Sequence, residues 1–254
     1  MKHRVSLLGA TAIAAVMAHA PRLALALADV VARCTLRAGR RRAPRNLDGR
    51  ALRRFWSNHV RHIVLSFCAT RYGTRPLQGL LLPSPELDAL RPPCVIVTFH
   101  AGPIQAFSAA LERLGRALVL RQVDPSHPRD ITLLHTIGGD RGALGVVHGV
   151  RWLRDGGFVF VAIDPSAPAS RVDVPFQGRT LRLARGAFAM ARIASVPLVP
   201  VVTRWRGSQI ELVFGESLSG SDEQQLAAHV TRWFENYLAE NPGEISQRTL
   251  SLVS

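Results

Sequence analysis

A run of apolar and β-branched residues, Val95–Phe99, ends directly at His100 in the middle of the chain. Such a run is typical of a strand that is covered on both faces, as in the parallel sheets of α/β proteins. Gly102 and Pro103 come next, and both residue types are favoured where a helix begins. We therefore predict a strand, a turn and a helix that ends at Gly115. This arrangement places His100 at the carboxyl end of a strand, where open α/β sheets bind their ligands.

The same alternation of strand and helix continues to the end of the chain, and Ser166–Arg185 is predicted to be a loop. Strands that alternate with helices indicate an α/β fold with a mixed, mainly parallel central sheet and helices on both faces. Residues 46–254 form a single domain in this interpretation, and Asp164 follows one of its buried strands as His100 does. The further strands are predicted at 116–120, 158–163, 196–202 and 209–214, and the helices at 52–68, 186–192 and 226–238.

Residues 1–45 differ in composition from the rest of the chain. A basic start precedes an apolar stretch that extends to Ala32, is interrupted at Pro21-Arg22, and is followed by a cluster at Arg40–Arg42. One interpretation is a membrane anchor, broken at Pro21, whose arginines bind anionic headgroups. Another is a signal peptide cleaved after Ala18-His19-Ala20, and a third is an amphipathic helix buried in the fold. We expect the anchor, which adds N-terminal membrane-associating helices to the fold.

The chain carries a formal net charge of +14, almost entirely from arginine, because Lys2 is the only lysine. An excess of this size predicts an anionic partner: a nucleic acid, an anionic lipid surface or an acidic carrier protein. Aromatic residues make up only 6% and no nucleic-acid-binding motif is present, so we expect no nucleic acid. The three cysteines have neither metal-site spacing nor a disulfide pattern, which favours a reducing compartment. We expect no metal and no other cofactor.

Three blocks of sequence carry a resemblance to a known family. They are His100–Gln105, then Gly149–Gly157 leading to Asp164, and then Val174–Arg179 with Gly186 and Val196–Pro200. The blocks resemble the lysophospholipid acyltransferase superfamily, and in particular its lipid A late acyltransferase branch (the lauroyl and myristoyl transferases). The first block is similar to the family's His-x4-Asp/Glu motif. The second is similar to a passage of the family in which a helix is followed by Gly-Gly, a strand and an Asp. The third block, in order after the first, is the most specific.

The resemblance implies a membrane-associated O-acyltransferase. Members of the family move a fatty acyl chain from a thioester of acyl carrier protein or coenzyme A to a hydroxyl of a lysolipid or glycolipid. The branch implies lipid A-type acylation at the cytoplasmic face of the inner membrane, so the implied partners are the acyl donor, an anionic lipid or glycolipid acceptor, and the membrane. The family's histidine, which corresponds to His100, removes the proton of the acceptor hydroxyl, and a carboxylate orients it.

The first block departs from the family at Gln105, where relatives have Asp or Glu. A glutamine accepts a hydrogen bond from a histidine ring, but its neutral amide does not balance the imidazolium charge. Either another carboxylate replaces the acid, or the enzyme is slow, or the chain is a lipid-binding relative that has lost catalysis. Asp164 is the candidate replacement if its strand neighbours the strand that ends at His100. We therefore predict catalytic positions at His100, Gln105 and Asp164.

Arginines cluster around the third block, and we predict that they bind substrate. A guanidinium fork suits phosphate, and helix N-termini attract anions. A lipid phosphate or the phosphate of a phosphopantetheine arm is the expected ligand, and a solvated basic loop is the alternative. Arg151 is a further candidate contact, with a surface ion pair to Asp155 as its alternative. The other candidate binding residues are Gly178, Arg179, Arg182, Arg185 and Gly186.

Overall fold

The structure is a computed structural model that describes residues 12–13, 15–17, 19–37, 48–115, 117–120, 142–164 and 170–244. The helices are α1 (Pro21–Cys34), α2 (Gly49–Tyr72), α3 (Arg75–Gln78), α4 (Pro85–Ala89), α5 (Ala106–Leu114), α6 (Gly142–Arg154), α7 (Gly186–Ala194), α8 (Glu223–Glu240) and a C-terminal 3-10 helix (Pro242–Glu244). The strands are β1 (Cys94–Thr98), β2 (Ala117–Leu120), β3 (Phe158–Ala162), β4 (Arg171–Phe176), β5 (Arg179–Ala184), β6 (Leu198–Arg206) and β7 (Gln209–Phe214).

The central sheet has five strands in the order β2-β3-β1-β6-β7. The first four are parallel to their neighbours, and β7 pairs antiparallel with β6 at the edge. Helices connect the parallel strands, because a parallel crossover requires a connection of a dozen or more residues. The predicted α/β fold with a mixed, mainly parallel central sheet is therefore confirmed.

Side chains that alternate along β1 enter two different apolar clusters. Val95 and Val97 pack in one cluster with residues of α6, α7 and α8. Ile96 packs in another cluster with Phe107 and Leu111 of α5. Because successive side chains of a strand point to opposite faces, the sheet has helices on both of its faces. This double coverage explains why the sequence of β1 reads as a continuous apolar run.

A separate β-hairpin, formed by β4 and β5, lies in the stretch that the sequence predicts to be a loop. That prediction is wrong over 171–184, because the side chains of β4 alternate between exposed and buried, the period of a strand with one covered face. Gln177 and Gly178 form the connection with φ of 48° and 75°. Positive φ at both central residues is the signature of the tight turn that matches strand twist.

Helix α5 begins at Ala106, with Gln105 as its N-cap residue, and not at Gly102-Pro103 as the sequence suggests. Gly102 has a φ of +60°, and a Cβ built on it would lie 1.7 Å from the carbonyl oxygen of Thr203 in β6. The glycine is therefore required by a close backbone approach between the turn after β1 and strand β6, which no local pattern reveals. The predicted end of the helix at Gly115 is correct.

The N-terminal part contributes helix α1, which begins at Pro21 with the proline in its first turn. Ala24, Leu25, Ala28 and Ala32 are buried, and they pack with residues of α2 such as Trp56 and Leu65. Among the described residues, none of the helices combines the length and the apolar character needed to cross a membrane. Residues 1–11, 14, 18 and 38–45 of the predicted anchor, including Arg40–Arg42, lie outside the described residues.

Replacing Gly102 with alanine is expected to destabilise the fold by more than ~3 kcal/mol, since the added Cβ meets backbone as well as an unfavourable φ. Gly156→Ala is the matched control: Gly156 has a φ of +75°, but a Cβ added to it would meet no atom within 4 Å. Its cost is expected to be ~1 kcal/mol, from φ alone. Urea unfolding measures both, and equal losses would contradict the close approach to Thr203.

Candidate active site

The register between β1 and β3 determines which residues meet at the carboxyl edge of the sheet. Thr98 of β1 lies opposite Ala162 of β3. Two residues beyond each of these positions lie His100 and Asp164, so parallel pairing brings them to the same height. The strand adjacency that a catalytic role for Asp164 requires is therefore present.

Asp164 and His100 are joined by hydrogen bonds from both the backbone and the ring. The ring Nδ1 lies 2.7 Å from Oδ1 of Asp164, and the backbone N–H of His100 lies 3.0 Å from each carboxylate oxygen. The Asp164 side chain has no exposed surface, whereas that of His100 is 20% exposed. The carboxylate is therefore buried beneath an imidazole that still reaches the surface of the site.

This geometry prepares the ring of His100 to act as a base. An ionised carboxylate only accepts hydrogen bonds, so the proton between the two groups belongs to Nδ1. The neutral ring then carries its lone pair on Nε2, the atom on the side away from Asp164. When Nε2 takes up a proton, the buried carboxylate stabilises the positive charge that forms. A histidine that a buried carboxylate orients in this way can serve as a general base.

Gln105, the other predicted catalytic position, has its side-chain amide directed to helix α2. Its Nε2 lies 2.6 Å from Oγ of Ser66 and 3.1 Å from Nε2 of His62. No hydrogen bond joins Gln105 to His100 among the described residues. The glutamine therefore connects the start of α5 to α2, and the carboxylate against His100 comes from the segment that follows β3.

His62 is a residue near the site that sequence reasoning missed. Burial, together with the charges of His59 and His100, lowers the pKa of His62 to about 4. The ring is therefore neutral at physiological pH, so it adds no positive charge next to His100. Asn58, His62 and Ser66 are spaced by four residues along α2, which places them on one helix face. That polar line within an amphipathic helix was the available signal.

The turn after His100 is held by residues that are distant in sequence. The N–H of Gly102 donates to the carbonyl oxygen of Glu244 at 3.2 Å. The side-chain amide of Asn58 donates to the carbonyl oxygen of Gly243, also at 3.2 Å. The C-terminal 3-10 helix therefore links α2 to the turn that follows the candidate base.

The predicted substrate-binding arginines lie on exposed surface. Arg179 and Arg182 are exposed residues of the hairpin strand β5, next to the turn at Gly178, and Arg151 is exposed on α6. Arg185 precedes Gly186, the first residue of α7, and its Nε lies 2.5 Å from Oε2 of Glu223. Arg185 is therefore already engaged by a carboxylate.

Glu223 holds two arginines at once and is itself largely buried. Nε of Arg192 lies 2.8 Å from its Oε1, opposite the contact with Arg185. Burial acts to raise the pKa of Glu223, but the hydrogen bonds from Arg185 and Arg192 outweigh it and lower the pKa below its ordinary value. This ion-pair network ties α7 to α8, which is a structural use of Arg185.

No group of three or more metal-ligating side chains occurs within the ranges that the structure describes. Cys34, Cys68 and Cys94 are free thiols, and burial raises the pKa of Cys68 to about 11 and that of Cys94 to about 12. Thiols with such high pKa values stay protonated and are poor nucleophiles. Neither Cys68 nor Cys94 is therefore a candidate nucleophile.

Glu244, whose carbonyl oxygen holds Gly102, is expected to make stability depend on pH. Burial raises the pKa of its carboxyl to about 7 from the ordinary 4.5, although Asn58 and the charges of Arg54 and Arg204 partly oppose the shift. Between pH 4.5 and 7 the unfolded chain loses this proton while the folded chain keeps it, so ionisation progressively disfavours folding.

Replacing Glu244 with glutamine removes this titration. The free energy of unfolding of Glu244→Gln, relative to that of the original chain, is expected to rise between pH 4.5 and pH 7 by up to ~3 kcal/mol, and then to stay constant. Urea unfolding at pH 4.5, 6 and 8 measures the difference. A difference that does not change with pH would show that this carboxyl has an ordinary pKa.

Neither a comparison with protein-family models nor a comparison with curated proteins finds a match for this chain. The function is therefore inferred from the geometry of His100, Asp164 and their neighbours, together with the sequence blocks described above.

Proposed function

We propose that the protein is a membrane-associated O-acyltransferase that moves a fatty acyl chain from an acyl thioester to a hydroxyl of a lysolipid or glycolipid. The observation that carries the proposal is the hydrogen bond between the buried Asp164 carboxylate and His100 at the carboxyl edge of the sheet. The sequence blocks that resemble lipid A late acyltransferases support lipid A-type acylation, with acyl carrier protein or coenzyme A as the carrier of the donor. That reaction belongs at the cytoplasmic face of the inner membrane.

The reaction requires one group that first accepts a proton and then returns it. Nε2 of His100 removes the proton of the acceptor hydroxyl while the hydroxyl oxygen attacks the thioester carbonyl carbon. The tetrahedral intermediate collapses with cleavage of the carbon–sulfur bond, and the imidazolium returns the proton to the departing sulfur. The products are an ester and a free thiol, and no covalent enzyme intermediate forms. Asp164 stabilises the imidazolium throughout.

The position of Gln105 supports Asp164 as the partner of the base. A carboxylate at position 105 would be needed only if its side chain lay against His100, and the amide of Gln105 instead contacts His62 and Ser66. The missing acid of the first sequence block therefore does not argue against catalysis. In this proposal Gln105 is a positioning residue that fixes the start of α5 relative to α2.

Asp164→Asn is expected to lower turnover by about 10³- to 10⁴-fold, because the amide neither balances the imidazolium charge nor secures the correct ring tautomer. Gln105→Glu is expected to leave turnover within a factor of about three, since residue 105 does not contact the base. Transfer of a radiolabelled long-chain acyl group from acyl carrier protein to a bacterial lipid extract measures both. His100→Ala is the negative control.

Two results would contradict the proposal. If Gln105→Glu raised turnover strongly while Asp164→Asn had little effect, residue 105 would be the partner of His100. If no label entered lipid with the original chain although it bound vesicles, the chain would be the lipid-binding relative that has lost catalysis. Circular dichroism and thermal unfolding of each variant separate a chemical defect from a folding defect.

Helix α1 supports attachment to a membrane surface. Leu23, Leu27, Val30 and Val31 are 39–56% exposed. Their spacing of four, three and one places them on one side of the helix, opposite to the side packed against α2 and its neighbours. An exposed apolar stripe with arginines nearby is typical of a helix that lies in the plane of the membrane interface. We therefore propose that α1 docks on the bilayer without crossing it.

Leu27→Gln is expected to weaken binding to vesicles that contain phosphatidylglycerol by about fivefold, as ~1 kcal/mol of apolar burial is lost. Ile193→Gln is the matched control, since Ile193 is 42% exposed and Leu27 is 39% exposed. Ile193 lies near the end of α7, just before β6 begins. The start of β6 is at the edge of the sheet opposite to the edge where His100 lies. Cosedimentation measures binding, and equal losses in the two variants would contradict docking through α1.

A further inference from the structure

A cleft of about 410 Å³ opens beside the candidate active site, between α1, α2, the β6–β7 turn and the C-terminal 3-10 helix. It is joined to the site through Glu244, which lines the cleft and whose carbonyl oxygen accepts the N–H of Gly102. None of the residues predicted from sequence to bind substrate lines it. Its charged lining residues are Asp29, Arg33, Arg53, Arg54, Arg61 and Glu244.

Two of the four lining arginines are already occupied by protein groups. Arg61 binds the Asp29 carboxylate through Nε at 2.8 Å and Nη2 at 2.5 Å, and its Nη1 donates to the carbonyl oxygen of Gly207 at 2.9 Å. Arg33 donates from Nε to the carbonyl oxygen of Asp29 at 3.4 Å. The positive charge of Arg61 balances the negative charge of Asp29. Asp29 therefore does not cancel the positive charge of the remaining arginines.

The other two arginines, Arg53 and Arg54, are exposed on α2 and make no hydrogen bond or ion pair with any described residue. Their charges act on Asp48 and on Glu244 respectively. The stem of Arg54 lies against Gly243, where a Cβ would come within 2.9 Å of its Cγ, so its position is defined by packing. The side chains of two adjacent arginines therefore line one cleft without a hydrogen-bond partner among the described residues.

Two buried side-chain atoms, which belong to residues that line the cleft, have no hydrogen-bond partner within the described part of the chain. They are Oε2 of Glu244, a residue that is 4% exposed, and Nε1 of Trp205. A buried polar atom without a partner is costly, and natural proteins rarely retain one without a ligand or water to satisfy it. Nε1 of Trp205 is a donor, and the carboxyl of Glu244 is a donor in its protonated form.

The composition of the cleft identifies the chemistry of its ligand. Arginine side chains are donors only, and the guanidinium geometry matches the oxygens of phosphate. Ala32, Leu36 and the ring of Trp205 add an apolar wall. We propose that this cleft binds the phosphate of a phosphate ester whose remainder is partly apolar, with Arg53 and Arg54 as the principal ligands.

The orientation of α1 indicates from which side the ligand arrives. At 100° per residue, the cleft-lining positions Asp29 and Arg33 lie on average about 125° around the helix from the exposed stripe that includes Leu27 and Val30. If the stripe rests on the bilayer, these positions lie on the side of α1 that faces away from it, where a water-soluble ligand has access. Resting on the proposed acyl transfer, we assign the phosphate to the water-soluble acyl donor, such as the phosphopantetheine arm, and not to a bilayer headgroup.

Direct binding measurements test the site without any requirement for turnover. Isothermal titration calorimetry measures the binding of 4′-phosphopantetheine and of inorganic phosphate to the full chain. Cosedimentation measures its binding to vesicles that contain phosphatidic acid. Arg53→Gln/Arg54→Gln is expected to weaken phosphopantetheine binding by about tenfold or more. Arg53→Gln alone, which leaves the packing of Arg54 on Gly243 intact, is expected to weaken it severalfold.

Arg71→Gln/Arg75→Gln is the matched control, with the same loss of charge at exposed positions; Arg71 lies ~27 Å along α2 from Arg53. This variant is expected to bind phosphopantetheine as the original chain does. His100→Ala is expected to bind it unchanged too, so a failure of the acyltransferase proposal would leave this result intact.

Three outcomes decide the proposal. Binding of phosphopantetheine that is lost with Arg53 and Arg54 supports it, and comparable binding of inorganic phosphate locates the recognition in the phosphate itself. If the Arg53→Gln/Arg54→Gln variant lost binding to phosphatidic acid vesicles but kept its binding of phosphopantetheine, the assignment to a water-soluble donor would be overturned. The ligand would then be a lipid headgroup. Absence of phosphate-ester binding, or equal loss in the control variant, would overturn the site.

Discussion

Parallel pairing of β1 with β3 is the constraint on which the candidate site depends. A buried carboxylate loses the water that would stabilise its charge, so it requires hydrogen-bond donors from the protein. Asp164 obtains donors from the backbone N–H and the ring of His100, which lie beside it only because Thr98 and Ala162 are in register. The interaction that makes the burial of Asp164 tolerable is thus the same one that orients the candidate base.

Much of the fold could be predicted because its signals are local. The buried parallel strands read as apolar runs, and their carboxyl ends share one edge of the sheet, so His100 and Asp164 could be expected near each other. The hairpin was missed because Pro175, Gln177 and Gly178 suggested a loop. Val172, Val174 and Phe176 in fact alternate with polar residues in the period of a strand. The start of α5 was predicted too early because Gly102 is required by the close approach of its backbone to Thr203, and not by the start of a helix.

The surroundings of the base were harder to predict because they come from distant parts of the chain. A histidine followed five residues later by a motif position suggests a local pair, but the turn before α5 directs Gln105 towards His62 and Ser66. The arginines near Gly186 looked suited to phosphate, yet Arg185 is engaged by Glu223 from α8. The cleft with Arg53 and Arg54 exists only when α1, α2 and the C-terminal 3-10 helix are assembled.

The separation of the two members of the pair has a consequence for how the protein acquires its reactivity. His100 and Asp164 are 64 residues apart in sequence. Nascent chains that have not yet inserted β3 between β1 and β2 lack the hydrogen bond that orients the imidazole of His100. The pair therefore forms only when the parallel sheet assembles, and not as either residue is synthesised.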